Sequence, residues 1–143
     1  MPTINFFSEK IRFKLSNSEK TSSWIKSVVK KEKCTLISLN YIFCSDEYLK
    51  QINTEYLGHK TYTDIVTFNF NPSKGKIEGE IYISVDRVRD NSKTFKSDFQ
   101  TEMHRVIIHG VLHLIGFNDK NKREKTLMRE KEDTYLSLLN LSK

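Results

Sequence analysis

The sequence predicts a single α+β domain, a mixed sheet of four strands packed with about five helices. Apolar residues recur at every second position in four segments and at every third or fourth position in others. A pentapeptide rich in turn formers, Asn71-Pro72-Ser73-Lys74-Gly75, joins two of the strand-like segments. The 143 residues are enough for one real core, and no repeat, low-complexity stretch or linker divides them, so residues 1–143 are expected to form one domain.

Lys10 to Leu15 alternates, with Ile11, Phe13 and Leu15 on one face, and is expected to be the first strand. Residues 18–32 place Trp24, Ile25, Val28 and Val29 at helical spacing behind Ser and Asn residues suited to an N-cap. Thr35 to Phe43 returns to period two through Ile37, Leu39, Tyr41 and Phe43, the second strand. Asp46 can cap a short helix carrying Tyr48, Leu49 and Ile52. Asp64 to Phe70 and Glu78 to Val85 form the third and fourth strands, and the turn between them predicts a hairpin. Asp86 is expected to cap a brief helix through Arg89, and Asp98 a longer one that Gly116 stops after about Ile115. A last helix covers roughly Lys122 to Leu141. Strand order is not readable from these patterns.

Composition narrows the function classes. The hydrophobic share of 37% and charged share of 29% are those of a globular chain. No run approaches the roughly 20 apolar residues of a membrane span, and the N-terminus lacks a signal-peptide pattern, so no membrane contact and a cytoplasmic location are expected. Cys34 and Cys44 stand alone, without a CxxC pair, and are expected to be reduced. The formal charge of +6 favours contact with polyanions. Basic residues cluster at Lys26, Lys30, Lys31 and Lys33, at Arg87 and Arg89, and at Lys120, Lys122, Arg123 and Lys125.

The chemistry is concentrated in HGVLHLIGFND, residues 109–119. Four residues advance a helix by roughly 400°, so His109 and His113 project from nearly the same side, one turn apart. Met103, Val106, Ile107, Gly110, Val111 and Leu114 form the apolar stripe, and the two histidines lie along its edge with Glu102. An edge position leaves an ion reachable from solvent. An HxxxH pair alone is commonly no more than two surface histidines. Here Gly116 ends the helix, and Asp119 is the carboxylate that the returning chain can bring to the same ion. The metal is therefore expected on the long helix and the turn after it, held by His109, His113 and Asp119, as one zinc or another divalent ion per chain. His104 is five residues from His109, on another face, and is expected on the helix surface.

The same segment resembles the signature of the YbeY family of single-strand-specific endoribonucleases, ribosomal RNA maturation factors. Its form HGxLHLxGxDH is matched at His109, Gly110, Leu112, His113, Leu114 and Gly116. TDIVTF at 63–68, GEIYIS at 79–84 and HRVIIHG at 104–110 are similar to further motifs of that family. Asp119 stands where the signature has a third histidine, and Asn118 replaces the preceding aspartate. A carboxylate donor keeps three-point coordination and lowers the net charge of the site by about one unit relative to imidazole. Leu57 replaces an arginine found in many members ahead of the glycine aligned with Gly58, and His59 or Lys60 could supply the charge.

The resemblance implies a single-stranded RNA substrate, with ribosomal RNA and the small ribosomal subunit as partners. It also implies processing of the 16S rRNA 3′ end and a part in ribosome quality control. His109, His113 and Asp119 would act through a water that the ion acidifies to a pKa of about 7. Lys60, Arg105 and the Lys120 to Lys125 cluster are candidates to stabilise the phosphodiester, Arg105 alternatively pairing with a local acid, and Asp64 and Glu80 are candidate bases or ligand partners. Two alternatives remain: a non-catalytic RNA-binding assembly factor with a structural metal, and a zinc-protease-like hydrolase. The second lacks the glutamate that zinc proteases place directly after the first histidine, where this chain has Gly110. Nothing in the sequence sets an oligomeric state.

Overall fold

The structure is a computed structural model that describes residues 2–141. Its elements in chain order are β1 (Thr3–Glu9), α1 (Ser18–Lys31), β2 (Thr35–Cys44), α2 (Asp46–Leu57), β3 (Ile65–Asn69), β4 (Lys76–Ser84), α3 (Val85–Thr94), α4 (Phe99–Ile115) and α5 (Lys122–Leu141). The four strands form one mixed sheet in the order β1-β2-β4-β3. β1 runs parallel to β2, with Ile4 beside Leu39 and Phe6 beside Tyr41. β2 runs parallel to β4, and β3 returns antiparallel to β4 as the predicted hairpin.

The first strand lies upstream of the segment expected to form it. Lys10 turns into the left-handed region at φ 65, so the ladder ends at Glu9 and residues 10–15 have no strand partner. Their alternation is nonetheless real burial, because Leu15 is in the core and Ile11 and Phe13 pack against it. Period two reports which side faces the core; it does not report hydrogen bonding.

Helix starts also differ in detail. Ser45 caps α2, its hydroxyl accepting from the Tyr48 N–H at 3.2 Å, and Asp46 instead accepts from the Ser84 hydroxyl and the Arg87 guanidinium. Ser84 likewise caps α3, ahead of the expected Asp86, and that helix continues to Thr94 rather than stopping near Arg89. Asn17 stands at the N-cap of α1 but in a left-handed conformation, without a side-chain bond to the helix. The α4 limits, Asp98 cap and Gly116 stop agree with the sequence reading.

The sheet separates two apolar layers. Leu39, Tyr41, Phe43, Ile77, Ile81 and Ile83 face α1, α4 and α5 in the main core, and Val66, Phe68 and Tyr82 face α2. Gly110 allows α4 to sit close to the sheet, since a Cβ there would lie 2.9 Å from Ile81 Cδ1 and 3.0 Å from Ile65 Cδ1. The buried Tyr41 hydroxyl donates to the Ile107 carbonyl at 2.9 Å and ties the helix to the sheet centre. Both cysteines are free thiols, and among the described residues no helix is long and apolar enough to cross a membrane.

Candidate metal centre

Close seating of α4 leaves His109 and His113 at the border between core and solvent, with side chains 21% and 25% exposed. Their rings are 4.6 Å apart at 78°, both on the side to which the chain returns. Gly116 makes that return at φ 127, a conformation that L side chains rarely adopt. Its N–H and that of Phe117 close on the last helical carbonyls, including Phe117 N to Leu112 O at 3.0 Å, in the manner of a Schellman cap. The turn then places Asp119 against both histidines.

Asp119 Oδ2 is 3.4 Å from His109 Nε2 and 3.4 Å from His113 Nε2, and the three donor atoms all lie within 4.8 Å of one another. These separations exceed an ordinary N–H···O bond of roughly 2.7–3.2 Å. A tetrahedral zinc with bonds of about 2.0–2.2 Å sets its donors roughly 3.3–3.6 Å apart. Two neutral nitrogens and one carboxylate at that spacing fit a divalent ion, and their partial exposure leaves its open side accessible.

One partner of the site lies outside the sequence reading. Glu132 on α5 is 5% exposed, and its Oε2 lies 2.6 Å from His109 Nδ1. An ionised carboxylate can only accept, so Nδ1 carries the proton and the Nε2 lone pair is left for the Asp119 side. The other Glu132 oxygen accepts from Arg105 Nη1 at 2.9 Å, while Arg105 Nη2 donates to Asp133 at 2.8 Å. Arg105 is thereby paired with local acids, the second of the two readings open from sequence. Glu132 has a readable signal: it is a charged residue within the buried α5 stripe of Met128, Tyr135, Leu136 and Leu139.

Burial disfavours the His109 imidazolium, but the Glu132 bond and charge together with the Asp119 and Asp64 carboxylates outweigh it, and the pKa is raised above the usual 6.5. His113 is lowered by burial and by the neighbouring His109 charge. A cleft of about 330 Å³ opens beside His109 and Asp119, with Asp64, Glu102 and Glu132 along it and Phe95 and Arg129 also in its walls. Burial raises the carboxyl pKa of both Asp64 and Glu102. Glu80 is outside the cleft lining and accepts instead from the Tyr82 hydroxyl. Lys60 is exposed on the α2–β3 connection, also outside the lining. His104 departs from its expected surface position: it is half-buried, its ring edge-on to Trp24 and its Nε2 3.5 Å from Thr21 Oγ1.

The family model described as Endoribonuclease YbeY matches residues 3–140, nearly the whole chain. The chain belongs to the YbeY endoribonuclease family. Endoribonuclease YbeY of Cytophaga hutchinsonii is 51% identical over 136 residues, covering 95% of each chain. The protein of the same name from Amoebophilus asiaticus is 48% identical over 138 residues, covering 95% of this chain and 94% of its own. The solution structure of a Thermotoga maritima protein superposes with a TM-score of 0.66 at 30% identity, covering 95% of this chain and 88% of the other. The likeness to YbeY proteins runs through every element described above, from β1 to α5.

Proposed function

We propose that this chain is a metal-dependent endoribonuclease that cuts single-stranded RNA during ribosomal RNA processing, with His109, His113 and Asp119 holding one zinc or similar divalent ion. The observation that carries the reading is the donor spacing, 3.4 Å from Asp119 to each histidine, in a chain of an endoribonuclease family. When bound, the ion supplies positive charge that polarises a phosphoryl oxygen and acidifies a water near neutral pH. The protein residues supply the rest. Glu132 fixes the His109 ring through Nδ1, and the short turn after Gly116 aims Asp119. Arg129 lines the cleft and is suited to a phosphate oxygen; Lys60, the sequence candidate for that task, would have to approach from outside it. Asp64 and Glu102 take up a proton more readily than surface carboxylates do and are the groups in the cleft suited to proton transfer.

The substrate in the cell is proposed to be ribosomal RNA of the small subunit, at the 16S rRNA 3′ end, in the cytoplasm. The basic balance of the chain supports a polyanionic partner. The test is His113→Ala assayed on single-stranded RNA. Cleavage should fall at least a hundredfold, on the order of what loss of a Lewis acid removes, with the helical spectrum intact. Cleavage at the parental rate would overturn the proposal.

A further inference from the structure

Acidic and basic groups are unevenly distributed around the cleft. Asp64, Glu102, Asp119 and Glu132 line it beside His109, and the Arg105 of the same lining is paired with Glu132 and Asp133, so the inner part suits a cation. Arg129, which belongs to the same lining, is exposed on α5. Lys125 and Lys122 lie four and seven residues before it, on the same helical face, and all three border one shallow surface groove. The face they share spans roughly 10 Å along the helix. Glu130 is the one acid in that groove's lining, so a mainly basic track leads away from a mainly acidic centre.

Phe95, at the end of α3, belongs to the same lining as His109 and Arg129. It is 64% exposed and takes part in none of the aromatic or cation–π contacts found among the described residues. A scattered exposed phenylalanine is ordinary, but this one is in the wall of the cleft that His109 and Asp119 also line. The ring offers a flat apolar surface to whatever enters.

We propose that Phe95 and the Arg129, Lys125 and Lys122 face of α5 form a groove for a single nucleic-acid strand, a base stacking on Phe95 while the phosphates follow α5. The inference rests on the nuclease reading above and adds where the strand lies. It also gives a physical origin for single-strand preference. Stacking on a side chain requires an unstacked base, which a duplex does not offer, and it is tolerant of base identity because every base has a π-face.

Phe95→Ala, Phe95→Leu, Phe95→Trp and Arg129→Gln, each metal-loaded, are compared with the parent for affinity toward single-stranded oligodeoxyadenylate across a salt series. Cleavage of oligoadenylate is measured alongside. Phe95→Ala should weaken binding roughly ten- to hundredfold, the range for loss of one stacked base, with the salt dependence unchanged. Phe95→Trp should restore it and Phe95→Leu should not. Arg129→Gln should lower the slope of log affinity against log salt by about 0.7, the value for one phosphate contact on a single strand. Parental affinity in Phe95→Ala, equal rescue by leucine, or an unchanged slope in Arg129→Gln would overturn the groove. If the parent cleaves while any of these holds, only the groove fails; if the parent neither binds nor cleaves, the nuclease reading fails and the groove with it.

Discussion

Glu132 orients His109 from the side away from the proposed ion, through the contact of its carboxylate with Nδ1. Its carboxylate selects which His109 nitrogen carries the proton, and partners of this kind typically change metal affinity ten- to hundredfold when removed. Glu132→Gln is expected to weaken zinc binding about tenfold in competition with a chromophoric chelator. In metal-free protein the same variant should move the His109 titration, followed by NMR, downward. Burial already opposes the imidazolium, and Glu132 is the first of the three carboxylates, ahead of Asp119 and Asp64, that together raise its pKa. That raised value means the His109–Glu132 pair stabilises the fold fully below pH 6.5 and loses its contribution as pH rises through the raised pKa. The stability advantage of metal-free parent over Glu132→Gln should therefore widen on acidification and narrow above neutrality. A His109 midpoint unmoved by the substitution would show that the bond does not set its charge.

At the scale of elements, α4 and its closing turn are legible in the sequence because each signal is local. Asp98 caps, six apolar residues mark the buried face, and Gly116 stops the helix three residues before Asp119, the proposed third ligand. Gly116 adopts φ 127, and a Cβ added there would meet no atom within 4 Å, so strain rather than crowding opposes substitution. Gly116→Ala should cost about 1–3 kcal/mol in urea unfolding of the metal-free protein and weaken the metal site as well, because the displaced turn carries Asp119. Unchanged stability and unchanged affinity would mean the turn is not what aims Asp119. The position of β1 is not legible in the same way, because Ile11, Phe13 and Leu15 alternate as well as Ile4 and Phe6, and only the backbone reversal at Lys10 separates the paired run from the packed one. Glu132 and its two partners meet across 23 to 27 residues of chain, a contact that no local pattern encodes.

For the whole molecule, the strand order and the cleft arise from long-range packing. β3 pairs with β4 as the hairpin turn foretells, but the placement of β4 beside β2 follows from a crossover that no sequence pattern specifies. The cleft appears only once α3, α4 and α5 are packed together, which is why nothing in the sequence singles out Phe95 and Arg129 while the clustered lysines before Arg129 stand out. With a charge of +6, the proposed binding of single-stranded RNA should be salt-dependent, and replacing Lys122, Lys125 and Arg129 together by Gln should lower the log–log slope by about 2. A slope equal to the parent's would place the contacts elsewhere on the basic surface. The central claim, that His109, His113 and Asp119 hold one ion, is tested most directly by elemental analysis of purified parent and Asp119→Ala. The parent should carry about one equivalent of zinc or another divalent metal per chain, and Asp119→Ala should lose it with the helical spectrum intact. A full equivalent retained by folded Asp119→Ala would contradict the assignment.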